Sequence, residues 1–150
     1  MEYSRCLSRL QKLCSKAEYC KADIYRKALK DLEGNESEAR KVVEALVEDR
    51  YVDDARYASA FAREKAGIQG WGPIKIRFQL RAKGVSDADI SSALADIDSS
   101  RASDRLDRLI AAKARTLQGE AQIKLKLLKY ALGRGYSYDE VEAVVSRYCS

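Results

Sequence analysis

The chain repeats itself every 51 residues, and this periodicity restricts the folds open to it more than any other feature. Leu29, Asn35, Glu38, Ala39, Val43 and Leu46 return as Leu80, Ser86, Asp89, Ile90, Leu94 and Ile97, then as Ala131, Ser137, Glu140, Val141, Val145 and Tyr148. Apolar, capping and acidic slots recur in one order. In such arrays each unit buries its apolar face against the next, and the stack offers an extended surface. The expectation is an all-α chain of three tandem three-helix repeats, at about 1–52, 53–100 and 101–150, stacked into an elongated, curved array and forming a single domain. One proline and few β-branched clusters leave little room for strands.

Apolar periodicity places helices at roughly 3–16, 20–32 and 36–50 in the first repeat. The second repeat reads as 54–67, 73–83 and 87–98, and the third as 102–117, 121–134 and 138–149. Each third helix opens on a short polar residue with an acid three positions later: Asn35 with Glu38, Ser86 with Asp89, Ser137 with Glu140. Those are the residues of a capping box. Gly84 and Gly135 stand just ahead of two of these starts, where the chain must reverse and positive φ is needed. The first repeat departs here, with Glu33 in the glycine slot and Gly34 one place later.

Asp53 or Asp54 is expected to cap the first helix of the second repeat. In Gly70-Trp71-Gly72-Pro73, an N-cap at Gly72 puts Pro73 at the first helical position and pairs Trp71 with Ile76 as a hydrophobic staple. The other reading of Trp71 is partner binding or base stacking. Tyr57 with Phe61, and Leu106, Leu109 and Ile110 with Leu117, read as packing stripes.

With 46% hydrophobic and 34% charged residues the composition is that of a globular chain. No apolar run approaches the roughly 20 residues that span a bilayer, and Met1-Glu2-Tyr3-Ser4-Arg5 does not read as a signal peptide, so a cytoplasmic site is expected. Cys6, Cys14, Cys20 and Cys149 match no zinc spacing, and the chain has no histidine. Free thiols in a reducing compartment are expected, with no metal and no cofactor. The glycine-rich turn lacks the lysine and hydroxyl residue of a phosphate loop. No nucleophile with its base and no clustered carboxylate pair stands out, so no residue is assigned a catalytic role.

Charge is sorted by helix. From Ile74 to Ser86 stand Lys75, Arg77, Arg81 and Lys83 without an acid, and from Ala121 to Tyr138 stand Lys124, Lys126, Lys129 and Arg134 without one. The third helices are acidic instead, with Asp87, Asp89, Asp96 and Asp98 in one and Asp139, Glu140 and Glu142 in another. In the 51-residue register Arg77 and Arg81 match Arg26 and Lys30, while Lys75 and Lys83 match Lys126 and Arg134. The central helix is thus the middle of any basic track. Such a track attracts polyanions, either nucleic acid or an acidic protein groove. Cations on a solvated helix face are the plainer reading. A net charge of +5 is moderate, and a dedicated nucleic-acid binder would interleave aromatic residues with its cations.

Tyr51-Val52-Asp53-Asp54, Arg56-Tyr57-Ala58, Phe61, Lys65, Gly72-Pro73, Ile76, Leu80 and Lys83-Gly84-Val85 together resemble the signature of the RecX family. Gly135-Tyr136-Ser137-Tyr138-Asp139-Glu140-Val141 resembles that family's C-terminal unit. The resemblance implies a non-enzymatic monomer that binds the RecA recombinase and lies in the groove of its filament on single-stranded DNA. It also implies restraint of recombinase, ATPase and co-protease activity in DNA repair and the SOS response. Direct binding to DNA is a further expected contact, and a stand-alone nucleic-acid-binding helical module is the alternative function. The charge argument selects Lys75, Arg77, Arg81 and Lys83 as contact residues, extended by Lys126 and Arg134 on one side and Arg26 and Lys30 on the other.

Overall fold

The computed structural model describes the backbone of residues 1–97 and 99–148 and the side chains of 1–97 and 104–148. Nine helices and no strand occur among the described residues. In chain order they are α1 (Tyr3–Lys16), α2 (Lys21–Asp31), α3 (Glu36–Glu48), α4 (Asp54–Gly67), α5 (Pro73–Ala82), α6 (Asp87–Ala95), α7 (Ser99–Thr116), α8 (Ile123–Gly133) and α9 (Tyr138–Val145). Several ends differ from expectation by two residues or more, the start of α7 at Ser99 instead of 102 among them, and three of these differences have local reasons. Ile97 N–H reaches the Leu94 carbonyl, and the Arg147 and Tyr148 amides reach those of Val144 and Val145, so tighter three-residue bonds close α6 and α9 early. Helix α8 starts late because Gln122 takes a left-handed φ of 57°. Cys149 and Asp98 lie outside the described residues.

The expected caps are formed. Asn35, Ser86 and Ser137 accept at their side-chain oxygens from the amides of Glu38 (3.1 Å), Asp89 (3.2 Å) and Glu140 (3.3 Å). Asp53 caps α4 by accepting from the Arg56 amide at 3.1 Å, whereas Asp54 accepts from the Lys21 amide at 2.8 Å and so closes the start of α2. One residue pair, read as alternatives, thus serves two helices.

Each middle helix ends on the same bond. The amides of Gly34, Val85 and Tyr136 donate to the carbonyls of Leu29, Leu80 and Ala131, at 2.8, 3.1 and 3.4 Å. This five-residue return bond is the mark of a left-handed helix C-cap. Gly84 and Gly135 supply the positive φ, +80° and +99°, in the second and third repeats. In the first, Glu33 takes it at 54°, followed by Gly34 at 86°. The return bonds keep the 51-residue step, so the turn itself is the same length in each repeat. Buried Cys6, Leu10, Ile24 and Ala28 lie 52 positions before buried Ala58, Ala62, Ile76 and Leu80, but buried Ala39 and Val42 lie 51 before Ile90 and Ala93. The repeats are therefore out of step by one residue up to the end of α2.

The chain divides into two compact units, Met1–Ala60 with Leu80–Ser92, and Phe61–Gln79 with Ala93–Ser150. In the first, α1, α2 and α3 close around Leu10, Ile24, Ala28, Val42 and Leu46. Free Cys6 and Cys20 are buried here, and burial, then the carboxylate of Asp31, pushes the Cys6 thiol up to about 11. In the second, α7, α8 and α9 close around Leu106, Ile110, Leu127, Ala131, Val141 and Val145.

The second unit also contains a close backbone crossing. Gly72 N–H donates to the Arg134 carbonyl at 2.7 Å, and Ile74 N–H donates to the Gly135 carbonyl at 3.0 Å. The first-turn amide of α5, which has no partner within its own helix, is thereby satisfied by the end of α8. A Cβ on Gly72 would stand 2.3 Å from the Gly135 carbonyl oxygen, and one on Gly135 would stand 2.3 Å from Lys75 Cβ and 2.8 Å from Lys75 N. At Gly84 the nearest atom would be Ala22 Cβ at 4.0 Å. Gly84→Ala therefore meets only the left-handed backbone penalty, about 1 kcal/mol, while Gly135→Ala adds a backbone clash and costs about 3 kcal/mol. Urea denaturation of the two variants checks this, and equal losses would show that the crossing carries no constraint.

Candidate partner-binding surface

The cations selected from sequence do three different things. In the first unit Arg26, Lys30 and Lys83 come together with Lys27 around Asp23 and Tyr19, lining a shallow depression of about 400 Å³. Asp23 accepts from Lys83 Nζ at 3.0 Å and from the Arg26 guanidinium. Burial would raise the Asp23 carboxyl, but the hydrogen bonds from Lys83 and Cys20 and the charges of Lys83 and Arg26 hold it below its ordinary value. The Lys27 ammonium lies 5.5 Å from the Tyr19 ring centroid. Four cations around one acid leave a strongly positive depression. Lys27 was not selected from sequence, because the charge pairing there followed the 51-residue register, in which it stands opposite Phe78.

That register needs correction on α2. Because the buried face of α2 leads that of α5 by 52 positions, Arg77 and Arg81 correspond in facing direction to Tyr25 and Leu29, which pack against the core, rather than to Arg26 and Lys30. Arg26 instead takes the outward position that Phe78 holds on α5. Between α5 and α8 the 51-residue step holds, since Ile76 and Leu80 match Leu127 and Ala131, all buried.

On α5 the three cations differ in engagement. Arg81 is exposed and donates to Asp87 at 2.9 Å, a surface pair of small energetic weight. Arg77 makes no ion pair with a described residue and is half-buried. Lys75 places its ammonium 4.3 Å from the Trp71 ring centroid, and Lys65 places its own 4.9 Å from it. Phe61 meets the same indole edge-on at 6.1 Å. Trp71 and Ile76 line one cavity of about 440 Å³ with Leu94, Leu106, Tyr136 and Val144, and the charged side chains of Arg105, Glu140 and Arg147 border it. Trp71 is thus half-buried on the wall of this cavity, with Phe61, Lys65 and Lys75 against its ring.

Lys126 reaches Glu120 at 3.1 Å. Arg134 donates to the Gln69 carbonyl, and beside it the Tyr136 hydroxyl donates to the Gly70 carbonyl at 3.0 Å. Arg134 therefore holds the loop leading into α5. Phe78 is 69% exposed among these cations and was not singled out from sequence. Among the described residues no group of three or more His, Cys, Asp or Glu side chains gathers in a metal-ligating arrangement, and no helix is long and apolar enough to cross a membrane.

The chain is thus an all-α protein of tandem three-helix repeats bearing a cation-rich, acid-free central helix. Residues 53–94 match the family model described as RecX, second three-helix domain. The chain belongs to the RecX family. It is 29% identical to the regulatory protein RecX of Cronobacter sakazakii, over 95% of this chain and 91% of that one. Against the RecX proteins of Leuconostoc mesenteroides and Clostridium acetobutylicum identity is 32% and 33%, over 81% and 80% of this chain. It spans only 46% and 58% of those two relatives. The crystal structure of RecX from Lactobacillus salivarius matches with a TM-score of 0.83 at 18% identity, covering 97% of this chain and 95% of that one. A second RecX crystal structure matches with a TM-score of 0.83 at 24% identity, covering 95% of this chain and 70% of the other. At these identities the structural likeness speaks for the fold.

The Asp23 cluster has a pH signature. Because folding depresses this carboxyl, its stabilisation is complete above the ordinary value of 3.8 and fades as pH falls through the lower folded value. Asp23→Asn should cost roughly 1 kcal/mol at pH 7, allowing for solvent around Lys83, and the gap between variant and parent should close in acid. Urea titrations at several pH values measure it; a gap independent of pH would remove the carboxylate charge as its source.

Proposed function

We propose that the chain regulates the RecA recombinase: it binds RecA and its filament on single-stranded DNA and modulates, mainly by inhibition, recombinase, ATPase and co-protease activity in DNA repair and the SOS response. The supporting observation is the acid-free run from Ile74 to Ser86 on a chain of this family. In this reading the three repeats, about 1–52, 53–100 and 101–150, act as one non-enzymatic, monomeric, cytoplasmic domain. Lys75, Arg77, Arg81 and Lys83 address the partner first, with Arg26, Lys30 and Lys126 adding positive charge. Arg134 contributes through the loop it holds as much as through its charge.

The cations act by attraction to a filament that carries phosphates and acidic side chains, which raises the encounter rate and fixes orientation. Replacing Arg77 and Arg81 together by alanine should leave the helical circular-dichroism signal unchanged. It should weaken inhibition of DNA-dependent ATP hydrolysis by RecA about tenfold or more in half-inhibitory concentration. Unchanged inhibition would remove α5 as the contact surface.

The depression formed by Arg26, Lys27, Lys30 and Lys83 beside Tyr19 favours a second reading, a helical module that binds nucleic acid on its own. Affinity for bare single-stranded DNA and for preformed filaments, each measured across salt, separates the two. The stand-alone module predicts equal affinities and a steep salt slope of about 0.7 per phosphate neutralised. The regulator predicts a clear preference for filaments.

A further inference from the structure

Helix α5 exposes two large apolar side chains, Ile74 at 56% and Phe78 at 69%. Four positions apart, they share one face of the helix. The opposite face is complete without them, since Ile76 and Leu80 are fully buried. Lys75 and Arg81 stand three positions to either side of Phe78, Arg77 stands three from Ile74, and α5 contains no acid. An apolar pair is thus ringed by cations.

The other repeats treat the same outward position differently. In the register of the buried faces Phe78 corresponds to Arg26 on α2 and to Lys129 on α8, and both are exposed. Two copies present a cation there and the central copy presents a phenyl ring. A surface working by charge alone would be served better by a third cation. A ring in this slot serves a contact from which water is excluded, and aromatic residues beside arginine are the usual composition of interface hot spots.

An apolar pair at positions i and i+4 is how a helix seats in a groove of another protein. Ile74 has no π face to offer a base, so the pair suits a protein groove better than a stacked nucleotide. The surrounding cations select a groove with an acidic rim. We infer that Ile74 and Phe78 anchor α5 in an apolar groove of a protein partner whose rim carries carboxylates. This deepens the proposed function and rests on it only for the partner used as the probe.

The test compares Phe78→Lys and Phe78→Leu with the parent, using RecA filaments on single-stranded DNA and, separately, the bare DNA. Because Phe78 is exposed and its counterparts are cationic, neither change should alter the melting temperature. Phe78→Lys is expected to weaken filament binding about tenfold or more despite its added charge, while binding to bare DNA holds or tightens. Phe78→Leu is expected to keep most of the filament affinity. Filament binding by Phe78→Lys equal to or tighter than the parent's overturns the anchor. So does a Phe78→Leu loss as large as that of Phe78→Lys with bare-DNA affinity falling in parallel, which would assign the ring to base stacking. A parent chain that binds no filament sinks the RecA reading itself, whereas a binding parent with an indifferent Phe78→Lys sinks the anchor alone.

Discussion

The crossing of Gly72 over Gly135 is the constraint on which the second unit is built. Two backbones approach so closely that a single methyl group at either glycine would collide with main-chain atoms. The approach lets the Gly135 carbonyl take the first-turn amide of α5, so a helix preceded by Gly72, which has no side chain to cap it, nevertheless has that amide satisfied. Arg134 and Tyr136, on either side of Gly135, then fasten the preceding loop through the carbonyls of Gln69 and Gly70. The start of the central helix is thereby determined by backbone geometry and two side-chain bonds.

Positive charge in this chain is not a uniform coat. Arg134 is directed inward to a carbonyl, Lys75 and Lys65 cover an indole, and Lys83 and Arg26 are tied to one carboxylate. Arg77 and Lys30 carry no such tie among the described residues. Cations already held in place lose less freedom when they meet a partner. Those without a partner gain more from a new anion. The family relation accounts for the fold, and this division of labour distinguishes the cations within it.

Much of the fold was legible because its signals are local. The caps at Asn35, Ser86 and Ser137 and the left-handed turns at Gly84 and Gly135 depend on residues within a few positions of each other, and periodicity marks the helices between them. The missing parts are non-local. Nothing near Gly72 announces that residue 135 crosses it, and the bond from Lys83 to Asp23 joins residues sixty positions apart. The facing of α2 was misread because the 51-residue step holds for the caps and turns but not for the buried residues of α1 and α2. Phe78 was passed over because exposure is a property of packing.

The one-residue offset in the first repeat also explains how copies of one unit differ outside while remaining alike inside. Advancing a helix by one residue turns its side chains by about 100°. Helix α2 runs one residue further past its last core residue, Ala28, than α5 does past Leu80, and the left-handed Glu33 and Gly34 then close it. Ile24 and Ala28 still fill the interior, yet the outward row of α2 holds Arg26 where α5 holds a phenyl ring. A one-residue offset between a helix and the bend that closes it can therefore re-letter a helical surface without disturbing the layer beneath it.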